Sequence, residues 1–488
     1  VFTSCKFTSA AGKYGLWVYG GSVEVDKSSF SGARGVKTYT ETKDLEVVET
    51  ELSFNDVSFS GITEKAAVVV SKAANVEMTA VNVENCEKGL LQKAISNTTY
   101  TIEANGSNIS GKFNVTGTNP TEVAKTEFNI SSGEFTEDSK IDEKYYAENV
   151  TITPNEDGTF GVKAAYVAEV KGVKYETLQE AIGAAPRNAI VTLLADTKEN
   201  VTIAKALTLD LNGYTINGGT EKGKPAVTVT ARIVTIQDSS EAQTGTIMRE
   251  DTADNSGVSS HYVIDVQGNG WLIFKSGKVI NNSGNDAGKG ASLVRVGDDS
   301  VTEYNPGLVI NGGTFTQDNF IVIKVGRGYF TLNDGTLNSA NTYAIENWFN
   351  ATVKGGTVNG AVSSWTYSGG VDSTLDILGG TINGDVTSVN YDNADKKAKV
   401  SVAGGTINGK LDTRSYDPAT KELTSINDAA KATIEVTGGT FSADPTKYVV
   451  EESAITKNAD GTFGVEKAYL ARVGSTSYYT MDEALKAQ

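Results

Sequence analysis

The sequence predicts an all-β chain: a right-handed parallel β-helix, or solenoid, built as domains in tandem, each opened by a short amphipathic capping helix. Three observations carry that expectation. A Gly-Thr-apolar motif recurs at intervals that stretch upward from about 21 residues but do not shrink below it. A second, much longer repeat lies over the first. The 488 residues are also too many for one compact core, while 51 Gly, 7 Pro and short alternating Thr, Val, Asn and Ser runs favour strands broken by tight turns.

In chain order, the beat begins at Phe7, Phe30, Phe59, Val83, Ile109 and Phe135. It returns at Ile216, Ile247, Val279, Phe315, Leu337, Val358, Ile382, Ile407 and Phe441, spaced 21 to 36 residues apart. Each interval fits one coil of three short strands and three turns, stacked about 4.8 Å above the last, with insertions lengthening turns only. The marked residue should point inward, and glycine should form the corner where a side chain would collide with the neighbouring coil. Asn follows the mark at Asn217, Asn338, Asn359, Asn383 and Asn408, and the last four, on successive coils, predict an amide ladder along the stack. Cys5 and Cys86 fall about three coils apart, too far for a disulfide, and are expected as two buried thiols.

The longer repeat aligns residues 155–185 with 458–488 without gaps, 16 of 31 positions being identical. It divides the chain into the C-terminal part of a first β-helix (1–135), a linker (136–165), a complete second β-helix domain (166–443), a second linker (444–468) and the start of a third unit (469–488). The second domain should open with a capping helix at about 177–185. Thr177-x-x-Glu180 and Thr480-x-x-Glu483 are capping-box patterns. Leu178, Ala181, Ile182 and Ala185 form one apolar face, and Pro186 ends the helix.

A formal charge of −17 without a basic run excludes the footprint of a nucleic-acid binder and suits extracellular or cell-surface exposure. No apolar run is long enough to span a membrane. One His and two Cys leave no Ser or Cys triad and no structural zinc site, and no metal or cofactor is expected. "NEDGT" and "NADGT" look like the start of a calcium loop but lack its closing Glu, so an Asp-Gly turn at the unit junction is the expectation.

Residues 175–216, "YETLQEAIGAAPRNAIVTLLADTKENVTIAKALTLDLNGYTI", resemble the opening of pectate-lyase-like β-helix proteins. The likeness is to pectin methylesterases in particular, where T-I-Q-E-A-I-x-A-A-P precedes K-E-N-V-x-I. Set in tandem with the Gly-Thr coils, the whole also resembles the large adhesin-like surface proteins of anaerobic gut-type bacteria. The resemblance implies the fold and a cell-surface role, but not the chemistry. The esterase motifs Q-D-T-L, D-F-I-F-G and G-R-P-W are absent, "IQDSS" at 236–240 supplying only a Gln-Asp pair. His261, Arg295, Arg327 and Arg414 lie outside any hydrolase or lyase motif.

The expected function is therefore non-catalytic, structural and adhesive. The partners would be host or environmental glycans or surface proteins, alongside tandem copies of the same unit. The alternative is a carbohydrate-active β-helix enzyme of lyase, esterase or hydrolase type, with carboxylates paired across coils. No catalytic residue is assigned. The candidate ligand-binding set follows from aligning three successive coils, which places Tyr367, Tyr391 and Tyr416 at one position, Trp365 and Arg414 two residues before, and Asp392 and Asp417 just after. Stacked rings flanked by charged groups suit sugar faces and edges; the alternative is that they only shield a turn.

Overall fold

The computed structural model describes residues 1–38, 42–43, 46–47, 50–70, 74–86, 91–92, 99–103, 108–109, 127–136, 146–147, 150–156, 158–221, 223–250, 262–281, 292–298, 303, 306–317, 320–366, 370–391, 395–425, 430–469 and 471–487. The chain divides into two units, Val1–Tyr166 and Val167–Gln488. Both are almost entirely β, built on large sheets in which most strand pairs are parallel, with antiparallel pairs at the C-terminal end of the first and at both ends of the second. Among the described residues no helix is long and apolar enough to cross a membrane.

In the first unit Phe7, Phe30, Phe59, Val83, Ile109 and Phe135 are successive parallel register partners. The rings of Phe7, Phe30 and Phe59 stack at 4.4 and 4.9 Å, so the marked positions form one apolar file. Of the two thiols, both free, Cys86 is buried as expected. Cys5 is only half-buried, at the edge of the first coil, where its backbone N–H donates to Ser28 Oγ (2.9 Å).

The second unit carries three parallel ladders. The nine marks from Ile216 to Phe441 are register partners in sequence along the first ladder. All nine are essentially without exposed surface. A second ladder stacks Leu209, Ile236, Phe274, Ile310, Leu332, Val353, Ile377, Val402 and Val436. The third stacks Val201, Val227, Ile264, Val294, Ile323, Ile345, Val362, Val386 and Leu411. One core is shared by all three files. Stacking at this pitch dictates glycine at the corners. Gly405 has φ +87°, and a Cβ on Gly384 would lie 2.2 Å from the Gly360 carbonyl oxygen in the coil before.

Antiparallel pairing appears where the parallel ladders stop. The hairpin of Val150–Pro154 and Thr159–Ala164 adds to Gly133–Thr136, bringing Phe160 opposite Phe135. The hairpin of Ser453–Lys457 and Phe463–Lys467 adds to Gly439–Phe441, with Phe463 opposite Phe441. These strands occupy the stretches that the sequence reading assigned to linkers, and they cover strand edges that would otherwise recruit other chains. Their turns match: Asn155 and Asn458 each donate through Nδ2 to Thr159 and Thr462 Oγ1 at 2.9 Å. Asp460, in the second "DG" pair, accepts from the Thr462 N–H at 3.0 Å, as an Asp-Gly turn requires.

Helix α1, Leu178–Ala184, buries Leu178, Ala181 and Ile182. Thr177 caps it by accepting from the Glu180 N–H, but the second carboxylate comes from elsewhere than the expected capping box. Glu199 accepts from the Leu178 and Gln179 N–H groups at 2.8 and 3.1 Å. Helix α2, Met481–Lys486, has the full reciprocal box between Thr480 and Glu483.

Candidate functional site

The third ladder of the second unit turns one residue of each pair outward. On that side the strand Thr357–Trp365 places Ser363 and Trp365, Val386–Tyr391 places Thr387, Val389 and Tyr391, and Leu411–Asp417 places Asp412, Arg414 and Tyr416; Ser363 and Val389 are fully covered, and the others are partly exposed. Register pairs Trp365 with Val389, Val389 with Arg414, and Tyr391 with Tyr416. Inward polar side chains fix these strand ends. Thr366 Oγ1 accepts from the Tyr391 N–H (2.9 Å) and from Asn390 Nδ2 (3.2 Å), while Ser388 Oγ donates to the Ala398 carbonyl (2.9 Å). Each of these groups is buried and bonded, so the backbone from which Tyr391 projects is held on its inner side.

The rings meet. Tyr391 and Tyr416 lie with centroids 5.0 Å apart and planes 30° from parallel, and Trp365 meets Tyr416 edge-on at 5.4 Å. Trp365, Tyr391 and Tyr416 are half-buried. Arg414 Nε donates to Asp412 Oδ2 at 2.6 Å along the border of this cluster, with both side chains more than a third exposed. Lys447, on the short helical turn Thr446–Tyr448, is held above the ordinary lysine range, first by its hydrogen bond to the Tyr448 hydroxyl and further by Asp412. Asp417 serves the hairpin that follows, its carboxylate accepting from the Ala419 N–H at 2.8 Å. That hairpin places Leu423 beside Tyr416, extending the apolar border. Tyr367 and Asp392 lie outside the described residues.

Sequence reasoning missed a second set on the same outward face, lower in the ladder. Asp265, Arg295, Lys324 and Glu346 are consecutive register partners, and Glu346 pairs in turn with Ser363. Arg295 grips Asp265 with two hydrogen bonds (2.9 and 2.8 Å), reaches Asp298 at 2.7 Å and lies over the Tyr262 ring. Burial works against the guanidinium charge, but the Asp265 pairing outweighs it and raises the pKa of Arg295 above the ordinary arginine range. Glu346 is buried, and desolvation pushes its pKa up against the opposing pull of Lys324 and the Trp348 indole. Tyr343, pushed up to about 12 by burial and then by Glu346, touches Trp365 edge-on at 6.2 Å. Lys324 Nζ sits 4.0 Å over the Trp348 ring.

The outward Asn positions of the first ladder form the expected amide line. Asn408 donates to Asn383, Asn383 to Asn359 and Asn359 to Asn338, at 2.8, 2.7 and 2.8 Å, and Asn338 donates to Thr316. Asn200, which stands in an N-glycosylation sequence, directs its Nδ2 at the carbonyls of Gly218, Lys224 and Pro225, and a glycan would replace one of the two N–H groups that serve them. Among the described residues no group of three metal-ligating side chains comes together. Comparison with known proteins found no matching family model, no similar curated protein and no similar solved structure.

Proposed function

We propose that the chain is a segment of a secreted or cell-surface repeat protein, built of tandem right-handed parallel β-helix domains of the pectate-lyase-like kind, which binds glycans without transforming them. The reading rests on one observation: Trp365, Tyr391 and Tyr416 converge on an outward, half-exposed face with the Arg414–Asp412 pair at their border. Rings offer the apolar faces of sugars a stacking surface, and the ion pair offers donors and acceptors to hydroxyl edges. Parallel ladders closed by antiparallel hairpins suit a stiff element that holds such a face away from a cell.

A glycan array run beside assays for reducing ends, unsaturated products and released methanol tests this reading. Glycan binding that falls by about tenfold in Tyr416→Ala, with no product formed, is the expected result. Product formation would overturn it in favour of a carbohydrate-active enzyme. One observation favours that second reading: Glu346 is buried, raised in pKa and close to Tyr343 and Lys324 on the same face, as a general acid would be. Glu346→Gln would then abolish turnover.

A further inference from the structure

The first unit carries an exposed aromatic surface of its own, composed differently from the one in the second unit. The strand Lys6–Val18 pairs with Ser29–Thr38, matching Tyr14 with Arg34, Leu16 with Val36 and Trp17 with Lys37. Val36 is buried, so Trp17 and Lys37 belong to the outward side of the pair. Trp17 is 47% exposed and Tyr19 54% exposed, with ring centroids 5.1 Å apart and planes 25° from parallel. Tyr14 continues the row 5.9 Å from Trp17. The two rings therefore stack face to face and leave one broad exposed side, on which the apolar face of a sugar can rest.

The charges over this row are unequal in their commitments. Arg34 lies 5.4 Å over Tyr14, but its Nε is spent on Glu64 at 2.7 Å. Glu64 is fixed in turn by the Gly12 N–H, and these hydrogen bonds, Arg34 first, hold its carboxyl below the usual carboxylate range. Lys37 is different. Its Nζ sits 4.4 Å over Trp17 and 5.7 Å from the Tyr14 ring centre, and among the described residues no carboxylate pairs with it. In a chain of formal charge −17, an ammonium that no described carboxylate pairs, placed over the middle of an aromatic row, is a partner for an anion.

We infer that Tyr14, Trp17, Tyr19 and Lys37 form a second glycan site whose ligand is an acidic polysaccharide. A pyranose ring packs on the exposed side of the Trp17–Tyr19 stack, while a carboxylate or sulfate on the sugar takes the Lys37 ammonium. Arg34 and Glu64 hold Tyr14 in place and do not contact the anion. The site is independent of the cluster around Tyr416, so either can fail without the other.

The test is titration of the full chain with polygalacturonate, with chondroitin sulfate and with neutral dextran, the first two separating carboxylate from sulfate as the anion. Binding to at least one acidic polymer, well above dextran and weakening as salt rises from about 0.05 to about 0.5 M, is expected. Trp17→Ala should lower that affinity about tenfold. Lys37→Met should lower it by a similar factor and flatten the salt dependence, while Lys37→Arg retains both. Tyr416→Ala should leave it unchanged. Near-UV circular dichroism checks that the variants fold. Equal binding to dextran, or wild-type affinity in Trp17→Ala or Lys37→Met, would overturn the proposal, as would loss on Tyr416→Ala alone.

Discussion

The outward face of the third ladder in the second unit has a lower and an upper half, made by the same strands in the same register but finished in opposite ways. Below, Asp265, Arg295 and Glu346 are charged and largely hidden, each tied to a partner. Above, Trp365, Tyr391 and Tyr416 are aromatic and half-exposed, and Tyr416 packs against both other rings. A buried charge costs stability unless its partner is in place, whereas a half-exposed ring costs little. The lower half should therefore report on folding, and the upper half on ligands.

The largest effect that could break this division is at Arg295. Arg295→Met leaves Asp265 buried without its counter-ion and should cost about 3 kcal/mol in urea unfolding with glycan binding intact at native temperature. Glu346 comes next, and its sign can be worked out. Its folded pKa is raised, so the unfolded chain ionises first as pH climbs past about 4.3, and native stability is lost between that value and the folded pKa. Glu346→Gln should thus melt higher than the parent at about pH 7, a gain that fades as pH falls toward 4. In the upper half, the double change Tyr391→Ala, Tyr416→Ala should cost about 1 kcal/mol or less of stability while removing glycan binding. Outside both halves, Asn383→Ala should cost about 1 kcal/mol and leave binding unaltered, setting the scale for two broken links in the amide line. A Tyr391, Tyr416 variant that unfolds as readily as Arg295→Met would erase the distinction.

Inward positions were legible in the sequence because burial repeats. Nine marks at unequal spacing share one file, since an insertion swells a turn without shifting the strand register. The same register aligned Tyr391 with Tyr416. The lower charged set was not legible, because Asp265, Arg295, Lys324 and Glu346 stand on coils of unequal length and differ in type, leaving no motif to align. The closing hairpins did leave a signal: Phe160 and Phe463 continue the apolar beat, 25 and 22 residues after Phe135 and Phe441, but on strands that run backwards.

The amide line has an orientation. In each of its three links the later asparagine donates to the earlier one, so every finished coil offers an oxygen to the coil that comes after it. Aligned amides polarise one another, which makes each added link favour the next. A chain emerging from the ribosome N-terminus first meets this template in the order in which it is made. Along these four coils the residues made first present the acceptors, and each later coil brings the donor that meets them.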